Sequence, residues 1–190
     1  MQRIAILASG AGTNAQRLVE HFHAGQRARV VLIGCDRPHA GVLQRAWHLG
    51  VPVYLFGAAE LRDGSLLRVL QQQQVQWVVL AGFLRLIPAD LVRAFPDRIV
   101  NVHPALLPNY GGKGMYGERV HKAVIAAREK KSGITIHLVN ERYDEGAVLF
   151  QAECPILPGD TPDSLAARIH TLEHTHFPLV VERLLVDSDG

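Results

Sequence analysis

Two polar residues whose chemistry suits oxyanion stabilisation and proton exchange lie two positions apart in the chain, at Asn101 and His103. On an extended segment such residues point to the same side, and Pro104 keeps His103 extended. An asparagine amide can donate a hydrogen bond to a developing oxyanion, and a histidine can exchange a proton near pH 7. The spacing indicates a catalytic pair, and it fits equally well a polar strand end that carries a hydrogen-bonded histidine.

A carboxylate that could complete this pair is Asp144, in the loop segment YDEG at residues 143–146. If the fold brings Asp144 to His103, the carboxylate would orient the imidazole ring, raise the pKa of His103 and hold it charged. The alternative is an ordinary solvated carboxylate, and Glu141 and Glu145 compete for the same role.

A glycine-rich segment, SGAGTNA at residues 9–15, lies between the first predicted strand and the first predicted helix. The N–H groups and the dipole of a helix N-terminus can hold an anion, and glycine lets a phosphate approach the backbone. The segment therefore predicts a phosphate site rather than a plain glycine turn. Its G-x-G-x-x-A spacing, with Asp36 ending the second strand, fits a dinucleotide fingerprint, whereas Thr13 and Asn14 suit a terminal phosphate monoester. Both interpretations stay open here.

The last predicted helix carries the segment HTLEH at residues 170–174, which matches the zinc-hydrolase pattern H-x-x-E-H. Its two histidines are four residues apart and share a helix face. A zinc site needs a further ligand, for which His103 is a candidate. Because the full ligand set is missing from the pattern, we expect no metal.

Apolar runs of strand length alternate with helical patterns through the first half of the chain. This alternation predicts an open, mostly parallel, twisted sheet with helices on both faces. The predicted strands are Ile4–Ser9, Arg29–Gly34, Val51–Phe56, Trp77–Ala81 and Ile99–Val102, and the predicted helices are Thr13–Ala24, Val42–Leu49 and Leu61–Gln74.

The second half of the chain has a different pattern. Gly133–Val139 and Ala147–Glu153 predict an antiparallel pair that adds an antiparallel edge strand to the sheet. Helices are predicted over Arg119–Arg128 and from Thr161, as N-cap, to about Leu185. The glycine-rich stretch between the halves, residues 108–117, is expected to be mobile.

The composition limits the class of protein. The chain has 190 residues, of which 48 % are hydrophobic and 20 % are charged, and its formal net charge is +2. This balance argues against a nucleic-acid partner, and no apolar run reaches the roughly 18 residues that span a membrane. Cys35 and Cys154 are expected to be reduced. We expect a soluble, cytoplasmic protein with small-molecule substrates, as a monomer or a homodimer.

Four segments form one ordered set: SGAGTN at 9–14, AGFLRL at 81–86, NVHPALLP at 101–108 and DEG at 144–146. In this order they resemble the phosphoribosylglycinamide formyltransferase family, and the resemblance extends from Ile4 to about Leu185. The Asn-x-His-Pro stretch with a later Asp-x-Gly is its specific part. Ala11 and Thr13 depart from the family's pattern, and residues 109–117 form a longer, more glycine-rich stretch.

The resemblance implies a Rossmann-like formyltransferase fold and transfer of a formyl group from 10-formyltetrahydrofolate, as co-substrate, to the amine of glycinamide ribonucleotide in purine biosynthesis, without a metal. It implies one domain over residues 1–190, with about 1–100 binding the phosphate substrate and about 101–190 holding the folate and the catalytic groups. The implied residues are Asn101, His103 and Asp144 for catalysis; Gly12, Thr13, Asn14 and Glu173 for the ribonucleotide; and Leu84, Arg85, Leu86, Ile87, Asn140 and Glu141 for the folate.

The implied mechanism is direct attack of the amine on the formyl carbon. Asn101 and a protonated His103 would stabilise the oxyanion, and Asp144 would assist the proton transfer. Two other functions stay open. Residues 10–15 with Asp36 fit a dinucleotide-dependent oxidoreductase, and a non-catalytic nucleotide-binding module would leave the three catalytic candidates without a purpose.

Overall fold

The structure is a computed structural model that describes residues 1–187. Within these residues, seven strands form one sheet in the order β3-β2-β1-β4-β5-β6-β7. The strands are β1 (Gln2–Ala8), β2 (Ala28–Cys35), β3 (Val53–Leu55), β4 (Trp77–Leu80), β5 (Ile99–His103), β6 (Lys131–Leu138) and β7 (Val148–Pro155). The helices are α1 (Thr13–Ala24), α2 (Gly41–His48), α3 (Ala58–Arg62), α4 (Ser65–Gln72), α5 (Ala89–Ala94), α6 (Glu118–Ala126) and α7 (Pro162–Asp187).

Strands β1 to β5 pair in parallel, as predicted. Successive residues of β1 point to opposite faces of the sheet and enter two separate apolar clusters, Ile4 and Ile6 in one and Ala5 and Leu7 in the other. Helices α1, α2, α6 and α7 cover the first face, and α3, α4 and α5 cover the second. Burial on both faces explains why these strands read as continuous apolar runs.

The C-terminal strands form the antiparallel pair expected at the edge of the sheet. β6 pairs antiparallel with both β5 and β7, so β6 is the reversed strand and β7 forms the edge. The loop that joins them closes tightly at Gly146, where a Cβ atom would lie 1.7 Å from the carbonyl oxygen of Leu138. Only glycine fits there.

Two helix predictions were incomplete. The single helix expected over Leu61–Gln74 is two helices, α3 and α4, because the chain between them turns at Gly64 with a left-handed φ of 79°. The Ser65 N–H donates to Asp63 Oδ1 there (2.8 Å), which starts the new helix. Helix α5 was missed since its six residues are too few for a helical period. The N-cap of α7 is confirmed, with the Ser164 N–H donating to Thr161 Oγ1 (3.2 Å).

The strand order places a crevice at the carboxyl ends of β1 and β4. In the sheet, β1 lies between β2 and β4. The connection from β1 to β2 leads to one side of β1, and the connection from β3 to β4 leads to the other side. Open α/β sheets bind their ligands at such a switch point. No helix within residues 1–187 is long and apolar enough to cross a membrane.

Candidate active site

A cavity of about 390 Å³ occupies this crevice. The loops after β1 and β4, the end of β5, the glycine-rich segment before α6 and the middle of α7 all line it. It brings together predicted site residues from distant parts of the sequence, namely Gly12, Thr13, Asn14, Leu84, Asn101, His103, Asp144 and Glu173. The candidate catalytic residues and the candidate phosphate segment therefore share one cavity.

His103 ends β5 and is 3 % exposed. Its Nε2 lies 2.8 Å from the carbonyl oxygen of Tyr110. A carbonyl can only accept, so Nε2 carries the hydrogen and Nδ1 is the site that gains or loses a proton. Nδ1 lies 3.6 Å from Asp144 Oδ2, so the fold does bring the carboxylate to the histidine.

The expected effect of Asp144, which raises the pKa of His103, is confirmed, but the expected charged state of His103 is not, because burial has the larger effect in the free protein. Burial lowers the pKa of His103 below 6.5, and it outweighs the carboxylate of Asp144 and the carbonyl of Tyr110, which would raise it. His103 is therefore mainly neutral at neutral pH. Sequence reasoning included the carboxylate but not the loss of water around the ring, which depends on tertiary packing.

Asp144 occupies a left-handed turn, with φ 56°. Its Oδ2 accepts a hydrogen bond from the Gly112 N–H (2.9 Å), and its Oδ1 lies 3.6 Å from His137 Nε2. Burial would raise the pKa of Asp144, but the nearby His137 ring, the charge of His103 and the Gly112 N–H together hold it below 3.8. Asp144 is therefore ionised at neutral pH.

The competing carboxylates lie elsewhere. Glu141 Oε1 lies 3.5 Å from Arg93 Nη1, and Glu145 Oε2 lies 3.2 Å from Arg142 Nη1, both in exposed pairs. Neither carboxylate lines the cavity. Of the three acidic candidates in this loop, the fold places Asp144 beside His103.

Sequence reasoning missed His137, which orients Asn101. His137 pairs with Asn101 in the β5–β6 register, and its Nδ1 donates to the Leu138 carbonyl oxygen (2.7 Å). Its Nε2 therefore accepts a hydrogen bond from Asn101 Nδ2 (3.0 Å). The second N–H of the Asn101 amide stays available to a ligand. The only sequence signal was a histidine inside an apolar strand, and linking it to Asn101 required the strand register.

The phosphate segment has the geometry of an anion site. The first intrahelical hydrogen bond of α1 runs from the Gln16 N–H to the Gly12 oxygen (2.9 Å), so the N–H groups of residues 13–15 have no acceptor within the helix. Gly12 has a φ of 79°, and a Cβ atom on it would lie 2.6 Å from Val42. Glycine is thus required where the backbone turns into α1.

Glu173 joins this end of the cavity from α7. Its Oε2 accepts a hydrogen bond from Asn14 Nδ2 (2.7 Å). Burial raises the pKa of Glu173, against the hydrogen bond from Asn14 and the charge of His170. Asn14 Oδ1 is buried and has no hydrogen-bond partner among residues 1–187. A donor group on a ligand would satisfy this oxygen.

The H-x-x-E-H segment contributes His170 and Glu173 to the wall of the cavity, with Glu173 at the end where Asn14 lies. His170 lines the cavity, the rings of His170 and His174 stack with centroids 6.3 Å apart, and Glu173 between them binds Asn14. In the described part of the chain, no three His, Cys, Asp or Glu side chains cluster so that they could hold a metal ion.

The predicted folate residues divide into two groups. Leu84 lines the main cavity, and Arg85, Leu86 and Ile87 line an adjoining cavity of about 60 Å³, together with Val139, Arg142 and Tyr143. Asn140 and Glu141 line neither cavity. Asn140 Oδ1 accepts a hydrogen bond from the Arg142 N–H (2.9 Å) and forms a local turn. The residues of this loop that line the smaller cavity are instead Val139, Arg142 and Tyr143.

Asp36 does not act as a dinucleotide residue in this structure. Its side chain is 2 % exposed, and its Oδ2 accepts a hydrogen bond from Arg85 Nε (2.6 Å). A dinucleotide site needs this carboxylate free for a ribose hydroxyl. The ion pair with the half-exposed Arg85 already occupies Oδ2 of the buried Asp36.

Comparison with known proteins agrees with this geometry. A family model described as formyl transferase matches residues 2–181. The chain belongs to the formyl transferase family. The formyl transferase prediction and the predicted fold class are thus confirmed, and the oxidoreductase interpretation of the glycine-rich segment is set aside.

Other formyl transferases resemble the chain over nearly its whole length. The phosphoribosylglycinamide formyltransferase of Arabidopsis thaliana chloroplasts is 41 % identical over an alignment of 201 positions, which covers 100 % of this chain and 69 % of the relative. The Bacillus subtilis enzyme of the same name is 32 % identical, and 97 % of this chain aligns with 95 % of it. A solved structure of glycinamide ribonucleotide transformylase 1 from Geobacillus kaustophilus is 39 % identical and has a TM-score of 0.89, with 97 % of this chain aligned to 99 % of that one.

Proposed function

We propose that this chain transfers a formyl group from 10-formyltetrahydrofolate to the amine of glycinamide ribonucleotide, a step of purine biosynthesis. The observation that carries the proposal is that one cavity joins an anion site at the start of α1 to Asn101, His103 and Asp144. A substrate with a phosphate at one end and a nucleophilic amine at the other matches this arrangement. The relatives are named phosphoribosylglycinamide formyltransferase, which supports the proposed acceptor.

The ribonucleotide spans the cavity from α1 towards β5. Its phosphate accepts hydrogen bonds from the N–H groups of residues 13–15, where the positive end of the α1 dipole lies. Gly12 lets the phosphate approach, and the side chains of Thr13 and Asn14 contribute further polar contacts. Glu173 and Asn14 then face the sugar, which leaves the amine near Asn101 and His103.

The folate binds beside the reacting centre, along the loop that follows β4. Phe83 and Leu84 line the main cavity, and Leu86 and Ile87 line the adjoining one. Both cavities also share Asn101 and Asp144, so a flat ring held against these apolar walls delivers its formyl group to the catalytic side chains. Arg85, held by the buried Asp36, offers a positive charge at the same edge.

Asn101 and His103 stabilise the transition state. When the amine attacks the formyl carbon, the carbonyl oxygen becomes an oxyanion, and the free N–H of Asn101 donates to it. His137 holds the Asn101 amide in the required orientation beforehand, so little reorganisation is needed when the charge develops. No covalent bond to the protein forms in this sequence.

The proton of the attacking amine passes through His103. The neutral ring accepts it on Nδ1 as the new C–N bond forms, and the resulting imidazolium lies 3.6 Å from the Asp144 carboxylate and beside the oxyanion. The intermediate collapses by breaking the bond to the folate nitrogen, which takes up the proton. Asp144 assists by stabilising the charged ring and orienting it.

We also propose that the chain acts as one unit in the cytoplasm, as a monomer or a homodimer on small molecules. Residues 1–100 would supply the phosphate site, and residues 101–187 would supply the catalytic centre and part of the folate wall. The lining of the main cavity by both halves supports this division.

An assay of the deformylated folate by absorbance tests the proposal. With 10-formyltetrahydrofolate, product should form only when glycinamide ribonucleotide is added. Asn101→Ala should lower kcat by about 10²–10³ because one oxyanion donor is lost, whereas Asn109→Ala, at an exposed position, should not change it. Deformylation that is independent of the ribonucleotide would contradict the proposed acceptor.

A further inference from the structure

His121 is a buried histidine that the mechanism does not use. It lies on α6, is 3 % exposed, and lines the main cavity. Its Nδ1 has no hydrogen-bond partner among residues 1–187. Buried ring nitrogens are normally hydrogen-bonded, so an unpartnered one in a cavity wall indicates a partner that arrives with the ligand.

The position of His121 shows which part of the ligand it meets. His170, on α7, and His103, on β5, line the same cavity, and both act electrostatically on the His121 ring, so the ring lies near both residues. His170 in turn acts on Glu173, which binds Asn14 at the phosphate end. His121 is therefore near the reacting centre at His103 and near His170, which is itself close to Glu173 at the phosphate end.

The charge state of His121 shows what chemistry it offers. Burial, together with the charges of His170 and His103, lowers its pKa to about 4, against the opposing effect of Glu118 on its own helix. The ring is therefore neutral at neutral pH and carries one donor and one acceptor. Such a ring suits an uncharged hydrogen-bonding group rather than a phosphate or a carboxylate.

We propose that His121 is a substrate-positioning residue that hydrogen-bonds an uncharged group of the ribonucleotide, a sugar hydroxyl or the amide, between its phosphate and its amine. The inference rests on the proposed function, since it assigns a contact to that substrate. It adds a contact from α6 to those from α1 and α7 and fixes the distance of the amine from His103.

Two variants separate this role from simple packing. His121→Phe keeps a flat ring of similar volume and removes both nitrogens, and His121→Asn keeps a polar group near the position of Nδ1. We expect His121→Phe to weaken ribonucleotide binding by about 10-fold or more, since the ligand group loses its partner in a buried site. The KM for the folate should not rise and the melting temperature should not fall, and His121→Asn should recover part of the affinity. His176→Phe, on the part of α7 that packs against Phe150, is the matched control and should bind normally.

Calorimetric titration without folate measures this effect directly. Glycinamide ribonucleotide and ribose 5-phosphate are the two ligands. An equal loss of affinity for both ligands in His121→Phe assigns the contact to the sugar, and a loss for the ribonucleotide alone assigns it to the amide. The ratio of wild-type to variant affinity should stay constant from about pH 6 to about pH 9, because the ring is neutral throughout, whereas a cationic histidine would lose its effect as the pH rises.

Unchanged affinity of His121→Phe for both ligands would overturn the inference. So would an equal rise of both KM values together with a lower melting temperature, which indicates a structural role. Failure of the wild-type protein itself to bind or formylate the ribonucleotide would instead refute the proposed function, so the two failures are distinguishable.

Discussion

Replacing Asp144 by asparagine tests the electrostatic part of the mechanism. The variant keeps an oxygen that can accept the Gly112 N–H and removes the negative charge that lies 3.6 Å from His103 Nδ1. At an effective dielectric constant of about 20, two unit charges at that separation attract by about 4.6 kcal/mol. The carboxamide dipole retains part of this interaction, so we expect kcat to fall by about 10²–10³.

Two measurements follow the effect. Histidine titration by NMR should show the pKa of His103 falling further in Asp144→Asn, because the group that opposed the burial effect is gone. The folate absorbance assay should show the loss of kcat. Glu145→Gln removes an exposed charge one residue away, paired with Arg142, and should leave both values as they are. An unchanged titration and kcat in Asp144→Asn would refute the assignment of Asp144 as the partner.

The same variant makes a prediction about acid stability. The folded-state pKa of Asp144 lies below its ordinary value of 3.8, so the ionised group stabilises the fold above the unfolded pKa. That contribution is lost as the pH falls through the folded pKa. The difference in unfolding free energy between the wild type and Asp144→Asn should therefore be present at neutral pH and disappear in strong acid.

The remaining predictions concern His103, Gly12 and ligand stabilisation. His103→Ala should lower kcat by roughly 10² or more while calorimetry shows almost unchanged ribonucleotide affinity, because the phosphate site lies at the other end of the cavity. Gly12→Ala should weaken ribonucleotide binding by about 10-fold or more and lower the melting temperature, since its Cβ would lie 2.6 Å from Val42 in a left-handed backbone, whereas Gly25→Ala meets its nearest atom at 3.9 Å and should bind normally. Glycinamide ribonucleotide should raise the melting temperature in a dose-dependent way and NAD should not, and the opposite result would favour the dinucleotide interpretation.

The sequence predicted the parallel part of the sheet because each of its strands is buried on both faces and therefore reads as an apolar run. The antiparallel pair was predictable from two strand patterns joined by a polar loop, and α1 from the glycine-rich turn before it. The break at Gly64 was not predictable, because a helix often tolerates a single glycine and the left-handed φ of Gly64 is visible only in the structure.

The candidate site was predictable where residues lie close in sequence and hidden where tertiary contacts decide. Asn101 and His103 were visible as a spaced pair, but the role of His137 depends on the β5–β6 register. His121 lies on the same helix as the buried Val120 and Val124, where a buried histidine looks like part of the core. Burial also decides the direction of the His103 pKa shift, and burial of a single ring cannot be read from its neighbours in the chain.

The most direct test of the account compares kcat/KM for glycinamide ribonucleotide with that for the same molecule without its phosphate. If one cavity joins the α1 anion site to the catalytic centre, loss of the phosphate removes several charge-assisted hydrogen bonds and should lower kcat/KM by about 10² or more. Gly12→Ala should then reduce kcat/KM for the ribonucleotide much more than for the phosphate-free riboside. Equal kcat/KM values for the two substrates in the wild-type protein would contradict the account.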